Sequence, residues 1–143
     1  AKNLNGCRIL LAEDNDLNAE IAMTILQEHG VQVERAVNGE ECVEMLKAQT
    51  ADYYDAVLMD IQMPVMNGYD AARAIRQLTT PHAAVSIIAM TANAFEEDKQ
   101  KAFAAGMDAY ITKPVDVVSM MKTLHQIIET HRSDPDLSEN KYL

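Results

Sequence analysis

Five residues stand where apolar runs of the chain stop. Glu13 and Asp14 follow Arg8-Ile9-Leu10-Leu11-Ala12, and Asp60 ends the run that opens at Tyr54. Thr91 follows Ala84–Met90, and Lys113 follows Asp108–Thr112. Three carboxylates, a hydroxyl and an ammonium can hold a phosphate and a divalent cation, provided that the chain brings them to one place. Two carboxylates about 4 Å apart repel by roughly 4 kcal/mol at an effective dielectric of about 20. Three of them need a compensating cation or must take up protons. Lys113 supplies one positive charge. Few carboxylates, open positions for water and a nearby phosphate describe a Mg²⁺ site better than a calcium cage. Each acid has a plainer reading as a helix cap or a solvated loop residue. That reading suits Asp16 and Asp116. It does not suit Glu13, Asp14 and Asp60, because the apolar runs before them aim all three at one place.

The elements that must position these residues alternate along the chain. Arg8–Ala12 is a continuous apolar run, the mark of a strand covered on both faces. Asp16–His29 carries a helical stripe that Gly30 stops. Val31–Ala36 alternates like a strand nearer the sheet edge, and Asn38 reads as the cap of a helix over Glu41–Gln49. Tyr54–Met59 is a third strand. The loop Met63-Pro64-Val65-Met66-Asn67-Gly68 precedes a helix over Tyr69–Leu78. Ala84–Met90 is a fourth strand, Ala94–Ala105 a helix closed by Gly106, Asp108–Thr112 a short fifth strand, and Val117–His131 a last helix. Five strands alternating with five helices predict an α/β fold, a doubly wound (βα)5 sandwich on a parallel sheet. In such sheets ligands bind outside the carboxyl ends of the strands. Those ends carry Glu13, Asp14, Asp60, Thr91 and Lys113.

The 143 residues suit one domain. Residues 1–6 read as a linker, 7–132 as the folded unit and 133–143 as a polar, acidic tail. A net charge of −10 argues against nucleic acid or an anionic membrane as the main partner. Cys7 and Cys42 have neither metal spacing nor a disulfide pattern and read as reduced, partly buried thiols of a cytoplasmic protein. No apolar run is long enough to span a membrane, and no signal peptide is visible. The chain opens on Ala1 without Met, as a processed or excised piece would. There is no GxGxxG after the first strand, no GxxxxGK[ST] and no GxSxG, which argues against dinucleotide, P-loop and hydrolase-elbow chemistry.

Four stretches together resemble the receiver domain of response regulators, the CheY-like family. They are Ile9-Leu10-Leu11-Ala12-Glu13-Asp14-Asn15, Asp60-Ile61-Gln62-Met63-Pro64-Val65-Met66-Asn67-Gly68, Ala89-Met90-Thr91-Ala92 and Gly106–Pro114. The likeness runs from about Leu4 to His131. Ala12-Glu13-Asp14-Asn15 with Asn18, preceded by Leu4-Asn5-Gly6, is most similar to receivers of hybrid sensor histidine kinases. The resemblance implies a sheet of order 2-1-3-4-5 and a phosphorelay in which Asp60 takes a phosphoryl group from a phosphohistidine. It implies Mg²⁺ held by Glu13, Asp14, Asp60 and the carbonyl of Gln62. Thr91 and Lys113 would bind the phosphoryl oxygens. Thr91 and Tyr110 would switch, Gln62 and Asn93 would tune hydrolysis, and Pro114 would follow a cis peptide bond. The chain would be a signalling domain rather than an enzyme, either alone or cut from a membrane-bound hybrid kinase. Its partners would be a histidine kinase or a histidine phosphotransfer domain, with no direct nucleic acid and no membrane contact. A homodimer would use the face of helix four, strand five and helix five.

Two rival readings are set against this one. A phosphatase of the haloacid dehalogenase type would want an Asp where Gln62 stands. A receiver-like module that is never phosphorylated would lack part of the acid, Thr and Lys set, which is complete here. His29, His82, His125 and His131 read as surface or helix-end residues, because the acceptor in a receiver is Asp. The methionines, including Met63 and Met66, read as packing, and Glu96-Glu97-Asp98-Lys99 as a solvated helix face.

Overall fold

A computed structural model describes residues 4–93, 95–113 and 116–133. Four apolar runs and the alternating segment form strands β1 (Arg8–Ala12), β2 (Gln32–Ala36), β3 (Ala56–Asp60), β4 (Ile87–Thr91) and β5 (Ala109–Thr112). Between and after them lie helices α1 (Asp16–Glu28), α2 (Gly39–Lys47), α3 (Gly68–Arg76), α4 (Glu96–Ala104) and α5 (Val117–Ser133). All strand pairs are parallel, and the order is β2-β1-β3-β4-β5. Successive side chains of a strand point to opposite faces, so a strand covered on both sides must be apolar at every position. Ile9 and Leu11 pack with Ala19, Leu26, Met120 and Leu124 of α1 and α5. Leu10 and Ala12 pack on the other side with Cys42, Leu46, Ala72 and Ile75 of α2 and α3.

The turns that follow β1, β2 and β3 share one device. Asn15, Asn38 and Asn67 each accept a hydrogen bond from the amide three residues on, in Asn18, Glu41 and Asp70. Each cap satisfies an amide that the first helical turn leaves without a partner. The sequence pattern signals only Asn38 as a cap. No side chain caps α4, which starts after Phe95.

Several boundaries differ from the sequence reading. Ala84 is not in β4: Pro81 sets a 3₁₀ turn over Pro81–Ala84, and β4 begins at Ile87. Tyr54 precedes β3, and its hydroxyl bonds Glu34 of β2 instead. Leu4, read as linker, is buried against the α1–α5 side, and the Cys7 amide bonds its carbonyl. An apolar side chain beside an open end of that layer gains by covering it. Both Cys7 and Cys42 are fully buried rather than partly so. Pro114, Ala94 and the tail 134–143 lie outside the described residues.

Candidate functional site

Strand register brings the five residues together. Ala12 is level with Met59, Asp60 with Met90, and Thr91 with Thr112. Glu13 and Lys113, each one step past a strand, therefore flank Asp60 and Thr91 at the carboxyl edge of the sheet. Glu13, Asp60 and Thr91 are buried there, and Asp14 is exposed at the mouth. Lys113 Nζ lies 3.1 Å from both Glu13 Oε1 and Asp60 Oδ2. Glu13 Oε2 accepts from the Asn15 amide at 3.1 Å. Carboxylate oxygens of Glu13, Asp14 and Asp60 lie within 4.8 Å of one another. A cleft of about 240 Å³ opens on this group, lined by Gln62 and Thr91 besides the acids and Lys113.

The charges do not balance. Three carboxylates face one ammonium, and the side chains placed to hold a metal ion are the carboxylates of Glu13, Asp14 and Asp60. Burial by itself lowers the Lys113 pKa, but hydrogen bonds to Glu13 and Asp60 outweigh it and hold the group above its ordinary 10.5. The ammonium thus stays charged, and one further cation is accommodated. The donor set, all oxygen and partly open to water, fits a hard divalent ion such as Mg²⁺. Glu13 already has an oxygen on each of two donors, whereas the Asp14 carboxylate accepts no hydrogen bond among the described residues.

The loop after Asp60 is shaped by two unusual positions. Val65 has φ of 68°, and the Met66 amide bonds the Pro64 carbonyl at 2.7 Å, which makes a γ-turn centred on Val65. A β-branched residue at positive φ is strained. Gly68 packs so close to the Asp60 carbonyl that a Cβ there would overlap it.

On the other wall, Thr91 Oγ1 accepts from the Asn93 amide at 3.1 Å, and the Tyr110 hydroxyl donates to the Asn93 carbonyl. Thr91, Asn93 and Tyr110 thus form one hydrogen-bonded series. Lys99 of α4 lies 5.4 Å from the Tyr110 ring centre. A second cleft, of about 540 Å³, continues from Gln62 and Thr91 past Asn93 to Tyr69 and Asp98.

The remaining candidates fall outside the cleft. His29 Nδ1 pairs with the Ile25 carbonyl, and His82 bridges Thr80 and the Gln49 carbonyl. Asp16 pairs with Arg35, and Asp116 accepts from the Ser119 amide as a cap does. Arg35 was not singled out from the sequence. Its Nε donates to the Glu13 carbonyl at 2.9 Å, a contact that depends on the β1–β2 register and leaves no trace in residue spacing.

Comparison with known proteins agrees with this fold. Residues 9–125 match the family model of the response regulator receiver domain. The hybrid signal transduction histidine kinase L of Dictyostelium discoideum is 39% identical over 112 residues, which cover 76% of this chain and 6% of that protein. Kinase I of the same organism is 33% identical over 141 residues, 94% of this chain and 8% of that protein. The chain therefore spans a small part of the relatives' length. Among solved structures, the receiver domain of sensor histidine kinase PA1611 from Pseudomonas aeruginosa PAO1, with a magnesium ion coordinated in its active site cleft, is 36% identical. Its TM-score is 0.77, with 86% of this chain and 98% of that one covered. The co-crystal structure of the Saccharomyces cerevisiae phosphotransfer protein Ypd1 with the receiver domain of Ssk1 has TM-score 0.74 and 32% identity, covering 83% of this chain and 86% of that one.

Proposed function

The chain belongs to the response regulator receiver domain family, and on that premise we propose that it takes a phosphoryl group from a phosphohistidine onto Asp60. The observation that carries this is the buried Asp60 carboxylate, 3.1 Å from Lys113 Nζ and clustered with Glu13 and Asp14. An Asp60 oxygen attacks phosphorus, the nitrogen–phosphorus bond breaks, and the donor imidazole leaves. Glu13, Asp14, Asp60 and the Gln62 carbonyl would hold Mg²⁺. When bound, the ion neutralises charge on the phosphoryl group and orients in-line attack. Lys113 moves from the carboxylate pair to the phosphoryl oxygens. Thr91 Oγ1 accepts from Asn93, which leaves its own proton to donate to a phosphoryl oxygen.

The new charge of roughly −1.5 to −2 is the local event that the surface reads. A shift of Thr91 reaches Tyr110 through the Asn93 main chain, since Asn93 bonds both. The face of α4, β5 and α5 is the proposed output surface, including contact between two copies. Gln62 and Asn93, both beside the cleft, set access of the water that ends the phosphorylated state. A Tyr110 ring environment unchanged on beryllofluoride loading would remove it from the switch. Lifetimes unaltered by replacing Gln62 and Asn93 would remove the tuning role.

The receiver unit is taken as 7–132 with Leu4 packed onto it. A histidine kinase or phosphotransfer domain is the proposed donor, and the cytoplasm the proposed location. No helix among the described residues is long and apolar enough to cross a membrane. Incubation with Mg²⁺ and acetyl phosphate should add one phosphoryl mass to the wild-type chain and none to Asp60→Asn. Equal mass gain in Asp60→Asn would refute the assignment.

A further inference from the structure

We propose that Arg35 is a positioning residue for the acid pair: it pins the peptide joining Glu13 to Asp14 and so aims the Asp14 carboxylate at the metal. The proposal rests on the metal reading above. Arg35 lies on β2, opposite Leu11. Its Nε donates to the Glu13 carbonyl at 2.9 Å, and its Nη1 to Asp16 Oδ1 at 2.8 Å. The Glu13 amide donates to the Ala36 carbonyl at 3.0 Å. Strand β2 thus holds both polar backbone groups of Glu13.

Asp14 has no comparable support. It is exposed, and among the described residues its carboxylate accepts no hydrogen bond. Only its backbone can direct it, and the peptide plane that precedes its Cα is the one Arg35 holds. The third nitrogen of the guanidinium adds an independent observation. Arg35 Nη2 is buried without a hydrogen-bond partner, the one such side-chain atom among the described residues. A buried donor without a partner opposes folding. The ion pair does not offset this, because the Asp16 side chain is 94% exposed and such pairs contribute little. Arg35 is therefore held chiefly by its Nε hydrogen bond, and what that bond achieves is the fixed Glu13–Asp14 peptide.

Charge and geometry act in opposite directions here, which makes the proposal decidable. A positive charge beside the acids opposes Mg²⁺ binding, so a purely electrostatic Arg35 would weaken it, and its removal would tighten it. A positioning Arg35 strengthens binding, and its removal loosens it. Arg35→Met removes charge and fork; Arg35→Lys keeps the charge but lacks the planar fork that serves Glu13 and Asp16 together. Mg²⁺ titration by calorimetry, well below the metal-free melting temperature of each protein, should show the Kd rising on the order of tenfold in both variants. A role confined to fold stability would lower the metal-free melting temperature and leave this Kd unchanged, which overturns the proposal. Tighter binding in Arg35→Met, or wild-type affinity in Arg35→Lys, overturns it as well. Should Arg35→Met not fold, Arg35→Lys decides alone. A wild-type chain that binds no Mg²⁺ overturns the metal reading and this inference with it, whereas unaltered variants beside a binding wild type overturn this inference only.

Discussion

Lys113 joins the two buried acids of the cleft, and its titration is a measurable consequence. Its pKa is raised, so the folded chain keeps this proton at a pH where the unfolded chain has released it. The pair's contribution is fully present below the unfolded value and is lost as pH rises through the folded one. Urea midpoints of the wild type should fall as pH rises above the ordinary lysine value of about 10.4, and fall more steeply than those of Lys113→Met. Equal slopes would show that the ammonium gains nothing from Glu13 and Asp60. Tyr54, raised by burial, and Tyr53, raised by its hydrogen bond to Glu34, titrate in both proteins, so the difference isolates Lys113. At this scale the acids, Thr91 and Lys113 were legible because each ends an apolar run. Arg35 and the Thr91–Asn93–Tyr110 series were not, because they depend on which strands lie side by side.

The β3–α3 connection shows how an element positions the proposed nucleophile, Asp60. Asn67 caps α3, the Gly68 amide donates to the Ile61 carbonyl at 2.8 Å, and the bare Gly68 Cα leaves room for the Asp60 carbonyl. Gly68→Ala forces the helix start away from the strand end. It should destabilise by about 1–3 kcal/mol and slow phosphorylation by more than Asn67→Ala, which removes only the cap and costs about 1 kcal/mol. Denaturant melts and phosphorylation rates for the pair check this; matching losses in both variants would mean that the close approach does not matter. Pro64 and Gly68 marked this segment as a loop. Nothing marked the γ-turn, since Val65 is the kind of residue that avoids positive φ. The 3₁₀ turn was likewise hidden, because Ala83, Ala84 and Val85 extend the apolar run of β4.

Across the whole molecule, both thiols report on global opening. Cys7 and Cys42 are fully buried, and burial, with Glu41 nearby adding to it, pushes the Cys42 thiol up to about 12. An aromatic disulfide reagent at neutral pH should leave the native chain unlabelled and react with two thiols in denaturant. Labelling at the rate of global unfolding is expected, and fast labelling without denaturant would show that α2 or the entry to β1 opens by itself. The architecture was readable as a whole because the central strands of a parallel sheet must be apolar on both faces, as β1, β3 and β4 are, and the order β2-β1-β3-β4-β5 agrees with the resemblance. The ion pair between Glu13 and Lys113 spans 100 residues of chain. During synthesis, the acids of β1 and β3 emerge well before the ammonium that balances them. Closing the sheet without β5 would bring the carboxylates of Glu13, Asp14 and Asp60 together without that counterion. A chain cut before β5 therefore lacks the ammonium that joins Glu13 to Asp60, and the two ends of the sequence must both be present before the cleft has its full set of charges.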